Sequence, residues 1–123
     1  MTPGAIHVVA QADTAAEVGS GDVPVLATPR LIAWLEAATV QAASGSLAAG
    51  QTSVGTAVRI AHHRATPVGG IVEIIATATG SDGRRLTFAV RAVDTTGHVV
   101  ADGEIDRVIV DRDRFLAAAL NRP

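Results

Sequence analysis

The stretch from Thr28 to Glu36 reads Thr-Pro-Arg-Leu-Ile-Ala-Trp-Leu-Glu and predicts the beginning of the central helix of the fold. Pro29 suits a first helical turn, because its missing N–H would have no partner there in any case. Thr28 stands just before it and is a good N-cap residue. The segment leaves almost no polar side, since its apolar residues are Leu31, Ile32, Trp34 and Leu35. We therefore expect a helix that other parts of the chain cover on most faces.

Glu36 closes this stretch and is the only charged residue between Leu31 and Val58. A buried carboxylate without a partner is energetically costly, so such a group usually has either an ion-pair partner or a chemical role. Two interpretations follow: Glu36 is a catalytic group, or it is one half of a buried structural ion pair.

Length and composition predict one soluble globular domain over residues 1–123. Of the 123 residues, 48% are apolar, which is enough for a hydrophobic core. The net charge of −2 gives no electrostatic basis for binding nucleic acid, and the absence of cysteine excludes disulfides and thiolate metal sites. Residues 37–58 are uncharged but too polar for a membrane span, and the start of the chain lacks the pattern of a signal peptide. We expect a cytoplasmic protein without membrane contact, metal or other cofactor.

The sequence pattern predicts one strand, a long helix, four strands and a short final helix. The predicted segments are strand Ile6–Gln11, a loop or flap over Ala12–Asp22, helix Pro29–Ala43, strands Thr52–His62, Ile71–Thr79, Arg84–Val93 and Val99–Val110, and a helix capped by Asp111 that ends at Leu120. Strict alternation along the second strand places Val58 and His62 on one face and Gly55 on the other.

Short turns between the strands predict an antiparallel sheet, and the fold class is therefore α+β. An antiparallel five-stranded sheet wrapped around one long helix, with a short C-terminal helix, is the hotdog fold. One copy of such a sheet leaves edges unpaired, so we expect a homodimer or a dimer of dimers.

Several short motifs together give the chain a family resemblance. They are Val25-Leu26-Ala27-Thr28-Pro29, Leu35-Glu36-Ala37-Ala38, Ser53-Val54-Gly55-Thr56, His62 with Ala65-Thr66-Pro67-Val68-Gly69, and Gly83-Arg84-Arg85-Leu86. On these motifs the chain resembles the fluoroacetyl-CoA thioesterase-like family of hotdog proteins. The resemblance implies hydrolysis of a short-chain acyl-CoA thioester to the free acid and CoA.

The same resemblance assigns site residues. The threonine, glutamate and histidine of the family fall on Thr28, Glu36 and His62, and its glycine near the thioester carbonyl falls on Gly55. Thioester hydrolysis needs an activated water or nucleophile and hydrogen-bond donors for the oxyanion. Glu36 as a base on water, Glu36 as the nucleophile and Thr28 as the nucleophile remain open. His62 would position the thioester and protonate the thiolate, and the Gly55 main-chain N–H and Thr28 would polarise the carbonyl. Taken alone, Thr28 is also explained as an N-cap, and His62 as a core or interface histidine.

Arginine side chains are candidates for binding the phosphates of CoA, since guanidinium groups match phosphate geometry. The candidates are Arg59, Arg64, Arg84, Arg85 and Arg107. Each is also explained as a solvated charge at a strand end. The alternative function is that of a non-catalytic hotdog protein that binds acyl-CoA or another small ligand.

The chain departs from the resemblance at two places. Residues 12–33 contain no Phe, Tyr or Trp, whereas the fluoroacetyl-selective enzyme is associated with an aromatic lid over its acyl pocket. We therefore expect broad selectivity or a preference for small unfluorinated acyl groups. Relatives also often carry His-Glu-Arg on the last strand, where this chain has Ile105-Asp106-Arg107.

Overall fold

The fold is a five-stranded antiparallel sheet packed against one long helix, as described by a computed structural model of residues 4–121. The strands are β1 Ala5–Val8, β2 Gln51–His62, β3 Ile71–Asp82, β4 Arg85–Asp94 and β5 Val99–Asp111. Their order across the sheet is β1-β3-β4-β5-β2, and every neighbouring pair is antiparallel. Residues 1–3, the beginning of the segment judged not to be a signal peptide, lie outside the described residues. The predicted α+β hotdog fold is confirmed.

The helices are α1 Ala15–Val18, α2 Thr28–Ala43 and α3 Arg112–Leu120. The main-chain N–H of Arg114 donates to the Asp111 carboxylate at 2.9 Å, so the predicted cap of the last helix is confirmed. The predicted flap over Ala12–Asp22 contains the single turn α1 and part of a 3₁₀ turn at Gln11–Asp13. Among residues 4–121, no helix is both long enough and apolar enough to cross a membrane.

The core lies between α2 and the inner face of the sheet. Leu31 and Leu35 of α2 are fully buried in one apolar cluster with Ile74, Phe88 and Ile105 of the strands. The prediction that other structure covers α2 on most faces is wrong for one copy of the chain, because Ala33, Ala37 and Val40 remain exposed. The sheet covers one face of α2. Two of the exposed residues on the other side are alanines, whose small apolar surface costs little hydrophobic free energy when it stays in water.

A β-bulge in β2 decides which face its residues point to. Gly55 lies opposite Arg107 of β5, and Ala57 lies opposite Asp106, so one extra residue is inserted between them. Because the bulge shifts the alternation by one position, Gly55 faces inward together with Val58 and His62. The predicted placement of Gly55 on the opposite face is therefore wrong.

Candidate active site

Thr28 and His62 form the first part of the site. The N-cap of α2 is Ala27, not Thr28 as predicted, and the helix start has no side-chain cap. As the first residue of α2, Thr28 points its hydroxyl at the end of β2, where Oγ1 lies 2.8 Å from Nδ1 of His62. The predicted capping role is thus replaced by a hydrogen bond to a histidine 34 residues away in the chain.

His62 has the environment of a neutral imidazole. Burial lowers the pKa of His62 below its usual value, the nearby charge of His63 lowers it further, and the backbone of Arg64 opposes both effects. Nε2 is buried and has no well-formed hydrogen bond with any described residue. A neutral His62 is able to accept the proton of the Thr28 hydroxyl at Nδ1, which is the arrangement of a nucleophile and its base.

A cavity of about 310 Å³ opens beside the Thr28–His62 pair. Thr28, His62 and Arg64 line it, together with Ser20 and Gly21 of the flap. Main-chain hydrogen bonds join the flap to the segment that precedes α2, from Ala15 N–H to the Val25 carbonyl and from Ala27 N–H to the Asp13 carbonyl. The pair therefore lies at the wall of an open pocket that the flap also lines.

Glu36, Gly55 and Arg107 form the second part of the site. The Glu36 carboxylate lies directly over Gly55, so close that a Cβ on residue 55 would be 2.7 Å from Oε2. Nη1 of Arg107 is 3.8 Å from Oε2 of Glu36, with 7% of the Arg107 side chain and 39% of the Glu36 side chain exposed. Glu36 is thus half-exposed, not buried as predicted. Its carboxylate faces the buried guanidinium of Arg107.

The other candidate arginines lie apart from both groups, with one exception. Arg64 lines the cavity beside Thr28. Arg59 points to the outer face of the sheet, where its guanidinium binds the Asp106 carboxylate at 3.1 Å and thereby lowers the pKa of Asp106. Arg84 and Arg85 are exposed at the turn between β3 and β4. Of the five candidates, only Arg64 is placed beside the Thr28–His62 pair within one chain.

One chain does not bring the two groups into contact. Glu36 follows Thr28 by eight positions along α2, which corresponds to about 12 Å at the helical rise. Gly55 and His62 lie seven positions apart on β2, about 23 Å along a regular strand. The Thr28–His62 pair and the Glu36–Gly55–Arg107 group are therefore two centres along the same helix and strand.

Two residues of this region carried no functional prediction, Thr39 and Ser53. Both bind the Arg107 guanidinium: Nε donates to Ser53 Oγ at 2.9 Å, and Nη1 donates to Thr39 Oγ1 at 3.4 Å. A signal existed in the sequence, since Thr39 is one helical turn after Glu36 and Ser53 opens the motif that contains Gly55. Neither signal names Arg107 as the shared partner, because that residue is more than fifty positions away.

Comparison with known proteins decides the family. The profile described as "Fluoroacetyl-CoA-specific thioesterase" matches residues 9–113 of this chain. The chain belongs to this family. A fluoroacetyl-CoA thioesterase from Streptantibioticus cattleyicolor is 33% identical over 93 residues, which are 76% of this chain and 66% of that protein. The predicted family, and with it the class of thioester hydrolases, is confirmed.

Solved structures agree with this assignment. A variant of the fluoroacetyl-CoA-specific thioesterase, in complex with fluoroacetate and CoA, has a TM-score of 0.88 and 28% identity, covering 98% of this chain and 97% of that one. A hypothetical protein from Thermus thermophilus, a thioesterase superfamily member, has a TM-score of 0.88 at 23% identity, covering 97% and 88%. A hot-dog-like protein from Thermanaerovibrio acidaminovorans has a TM-score of 0.86 at 21% identity, covering 99% and 93%. The last two comparisons show the fold alone.

Proposed function

We propose that this protein is a single-domain enzyme that hydrolyses the thioester bond of short-chain acyl-CoA. The observation that carries the proposal is the 2.8 Å contact between Thr28 Oγ1 and His62 Nδ1 at the wall of a cavity. Membership of a thioesterase family and a solved relative that holds CoA support the substrate class. In this proposal Thr28, Glu36 and His62 are the catalytic residues.

The first chemical step is attack of the Thr28 hydroxyl on the thioester carbonyl. The hydroxyl proton moves to Nδ1 of His62, and an acyl-threonine forms as the carbon–sulfur bond breaks. The departing thiolate takes up that proton and leaves as the thiol of CoA. The start of α2 has no side-chain cap, so the main-chain N–H groups of its first turn, which exclude Pro29, are left to stabilise the oxyanion beside Thr28.

The second step is hydrolysis of the acyl-threonine by water. Glu36 is the base for this water, since its carboxylate is half-exposed and forms no hydrogen bond with any residue in the range 4–121. The water attacks the acyl carbon as Glu36 takes one of its protons, the ester bond to Thr28 Oγ1 breaks, and the proton passes from Glu36 to Oγ1 as the free acid leaves. Gly55 leaves room for the reacting group directly beneath the carboxylate.

We also propose that a second copy completes the site. The outer edge of β2 has no strand partner among the described residues, and an exposed edge of this length favours pairing with another chain. If two β2 strands pair in antiparallel orientation, the end of β2 that carries His62 in one copy lies toward the beginning of β2 in the other copy. The Thr28–His62 pair of one copy then approaches the Glu36–Gly55–Arg107 group of the other, which shortens the separation that exists within one chain.

CoA itself is proposed to enter along the cavity beside Arg64. Arg64 lines the same cavity as Thr28, and its guanidinium is proposed to bind a phosphate while the acyl group reaches the hydroxyl. Arg59 is ion-paired and Arg84 and Arg85 are exposed at a turn, and none of the three lines this cavity. The cytoplasm is the proposed location, since it holds the acyl-CoA substrates.

The decisive experiment measures release of free thiol from a panel of acyl-CoA esters with a thiol-reactive dye. Turnover of at least one short-chain ester, lost in Thr28→Val, supports the proposed function. Saturable binding of acyl-CoA without thiol release from any ester of the panel would instead identify a non-catalytic binding protein. The chain length and substituent that give the highest kcat/KM define the substrate.

The shared site has its own test, which uses two inactive variants. Thr28→Val and Glu36→Gln are each purified, mixed, unfolded and refolded together. A shared site restores activity in the mixed dimer, because one of its two sites then combines an intact Thr28 with an intact Glu36. Light scattering that shows only monomer at micromolar concentration, or a mixture that stays inactive, would contradict the shared site.

A further inference from the structure

The Arg107 guanidinium is held from two sides by groups that are not part of the proposed chemistry. From β2, Ser53 accepts twice, with its side-chain Oγ from Nε at 2.9 Å and with its main-chain carbonyl from Nη2 at 3.0 Å. From α2, the Thr39 hydroxyl accepts from Nη1 at 3.4 Å. Thr39 is fully buried and Arg107 is almost so. The guanidinium therefore connects the central helix to the edge strand.

The hydroxyl of Thr39 is itself fixed in direction. It donates to the main-chain carbonyl of Glu36 at 2.6 Å, within the same helix. Its proton is thereby used, and its lone pairs are left to accept from Nη1 of Arg107. The helical turn that carries Glu36 is thus joined to Arg107 through Thr39.

The distance from Arg107 to the Glu36 carboxylate is that of an ion pair without a hydrogen bond. Nη1 and Oε2 are 3.8 Å apart, which is within electrostatic reach but beyond hydrogen-bond length. A free guanidinium prefers to bind a carboxylate through two short hydrogen bonds. Here the three hydrogen bonds to Ser53 and Thr39 hold it back from that position.

The charge on Arg107 persists in spite of its burial. Burial lowers the pKa of Arg107 below its usual value, and the Glu36 carboxylate opposes this effect. Arginine stays protonated at neutral pH because its pKa is so far above this range. Glu36 therefore faces a permanent positive charge that does not occupy its oxygens.

We propose that Ser53 and Thr39 are positioning residues, which hold the Arg107 guanidinium beside the Glu36 carboxylate without letting it bind there. This inference rests on the proposed function, in which Glu36 activates the water that cleaves the acyl-threonine. A carboxylate bound by two guanidinium hydrogen bonds has fewer lone pairs for that water and is a weaker base. Loss of the Ser53 hydroxyl allows Arg107 to move toward Glu36 and slows the second chemical step.

The experiment compares Ser53→Ala, Ser53→Thr and the matched control Ser81→Ala, which removes an exposed serine hydroxyl from β3. We expect Ser53→Ala to lower kcat by about 5- to 20-fold with KM changed by less than about 2-fold. Ser53→Thr keeps the hydroxyl and retains most of the wild-type kcat, and Ser81→Ala has wild-type kinetics. Intact-mass measurement after mixing with acetyl-CoA shows acyl-threonine accumulating in Ser53→Ala, because its hydrolysis is slowed.

A double-mutant cycle separates positioning from a general loss of structure. In a Glu36→Gln background, Ser53→Ala should cause no further loss of kcat, because the group it positions is already gone. Thr39→Val tests the same idea from the helix. Because valine has nearly the same shape as threonine, this variant serves as the test if Ser53→Ala fails to fold. Wild-type kcat in both Ser53→Ala and Thr39→Val, or an equal loss in the two backgrounds, would overturn the inference. Wild-type hydrolysis by Glu36→Gln alone would instead remove Glu36 from the proposed function.

Discussion

Replacement of Gly55 by alanine should separate activity from stability in this protein. The added Cβ would lie 2.7 Å from Glu36 Oε2, whereas ordinary contact begins at about 3.4 Å, so the carboxylate has to retreat by about 0.7 Å. A misplacement of about 1 Å in a catalytic group costs up to about 100-fold in rate. We therefore expect Gly55→Ala to lower kcat by about 10- to 100-fold, which is about 1.4 to 2.7 kcal/mol of activation free energy.

The fold should tolerate the same change. The atom that the new methyl group meets is the end of a flexible side chain, and Gly55 does not have a positive φ, so alanine is not strained there. Alanine also restricts the unfolded chain, which by itself favours the folded state by about 0.4 to 1 kcal/mol. The free energy of unfolding should therefore change by less than about 1 kcal/mol, in spite of the large loss of kcat.

Thiol release from acetyl-CoA gives kcat and KM, and a thermal melt gives Tm on the same preparation. Gly80→Ala is the matched control, because Gly80 also lies at an irregularity of a strand but its new Cβ would have Thr87 Cβ as its nearest neighbour, at 3.9 Å. This control should keep wild-type kinetics. A well-folded Gly55→Ala protein with wild-type kcat would refute the reasoning, since the Glu36 carboxylate would then be displaced without consequence.

Four further outcomes are expected. Glu36→Gln lowers kcat by at least about 100-fold in the thiol assay. A denaturant melt should show a loss of only about 1 kcal/mol in the free energy of unfolding, because Glu36 is half-exposed and Arg107 keeps its hydrogen bonds to Ser53 and Thr39. Burial holds the pKa of His62 below 6.5, so the imidazole binds a proton more readily in the unfolded chain than in the folded protein. Stability is therefore lost as pH falls below about 6.5. On acidification the Tm of His62→Gln should fall less than that of the wild type. Arg64→Ala raises KM for acetyl-CoA about 5-fold with kcat retained, whereas Arg91→Ala on the outer face leaves both constants unchanged. Fluoroacetyl-CoA should be preferred to acetyl-CoA by less than about 100-fold, about 2.7 kcal/mol, because residues 12–33 contain no aromatic side chain, and a larger ratio of the two kcat/KM values would contradict this expectation.

The sequence by itself determined the fold and the family of this protein. The signals that carry this information are local: Pro29 at a helix start, alternating apolar residues between short turns, and Asp111 before the last helix. Such signals depend on a few neighbouring residues, so they can be recognised from the sequence alone. The family motifs likewise named Thr28, Glu36 and His62 as site residues and left their individual roles open.

Only the tertiary structure decided how those residues are arranged. A bulge in β2 turned Gly55 inward, because pairing with β5 fixes the register and one extra residue reverses every later side chain. The hydroxyl of Thr28 forms a hydrogen bond with His62 and does not cap the start of α2. Arg107 forms hydrogen bonds with Ser53 and Thr39, which are more than fifty positions away in the sequence. Contacts of this kind depend on the packing of distant elements against one another. No local pattern of residues specifies them, so the separation of the site into two centres emerges only when the chain is folded.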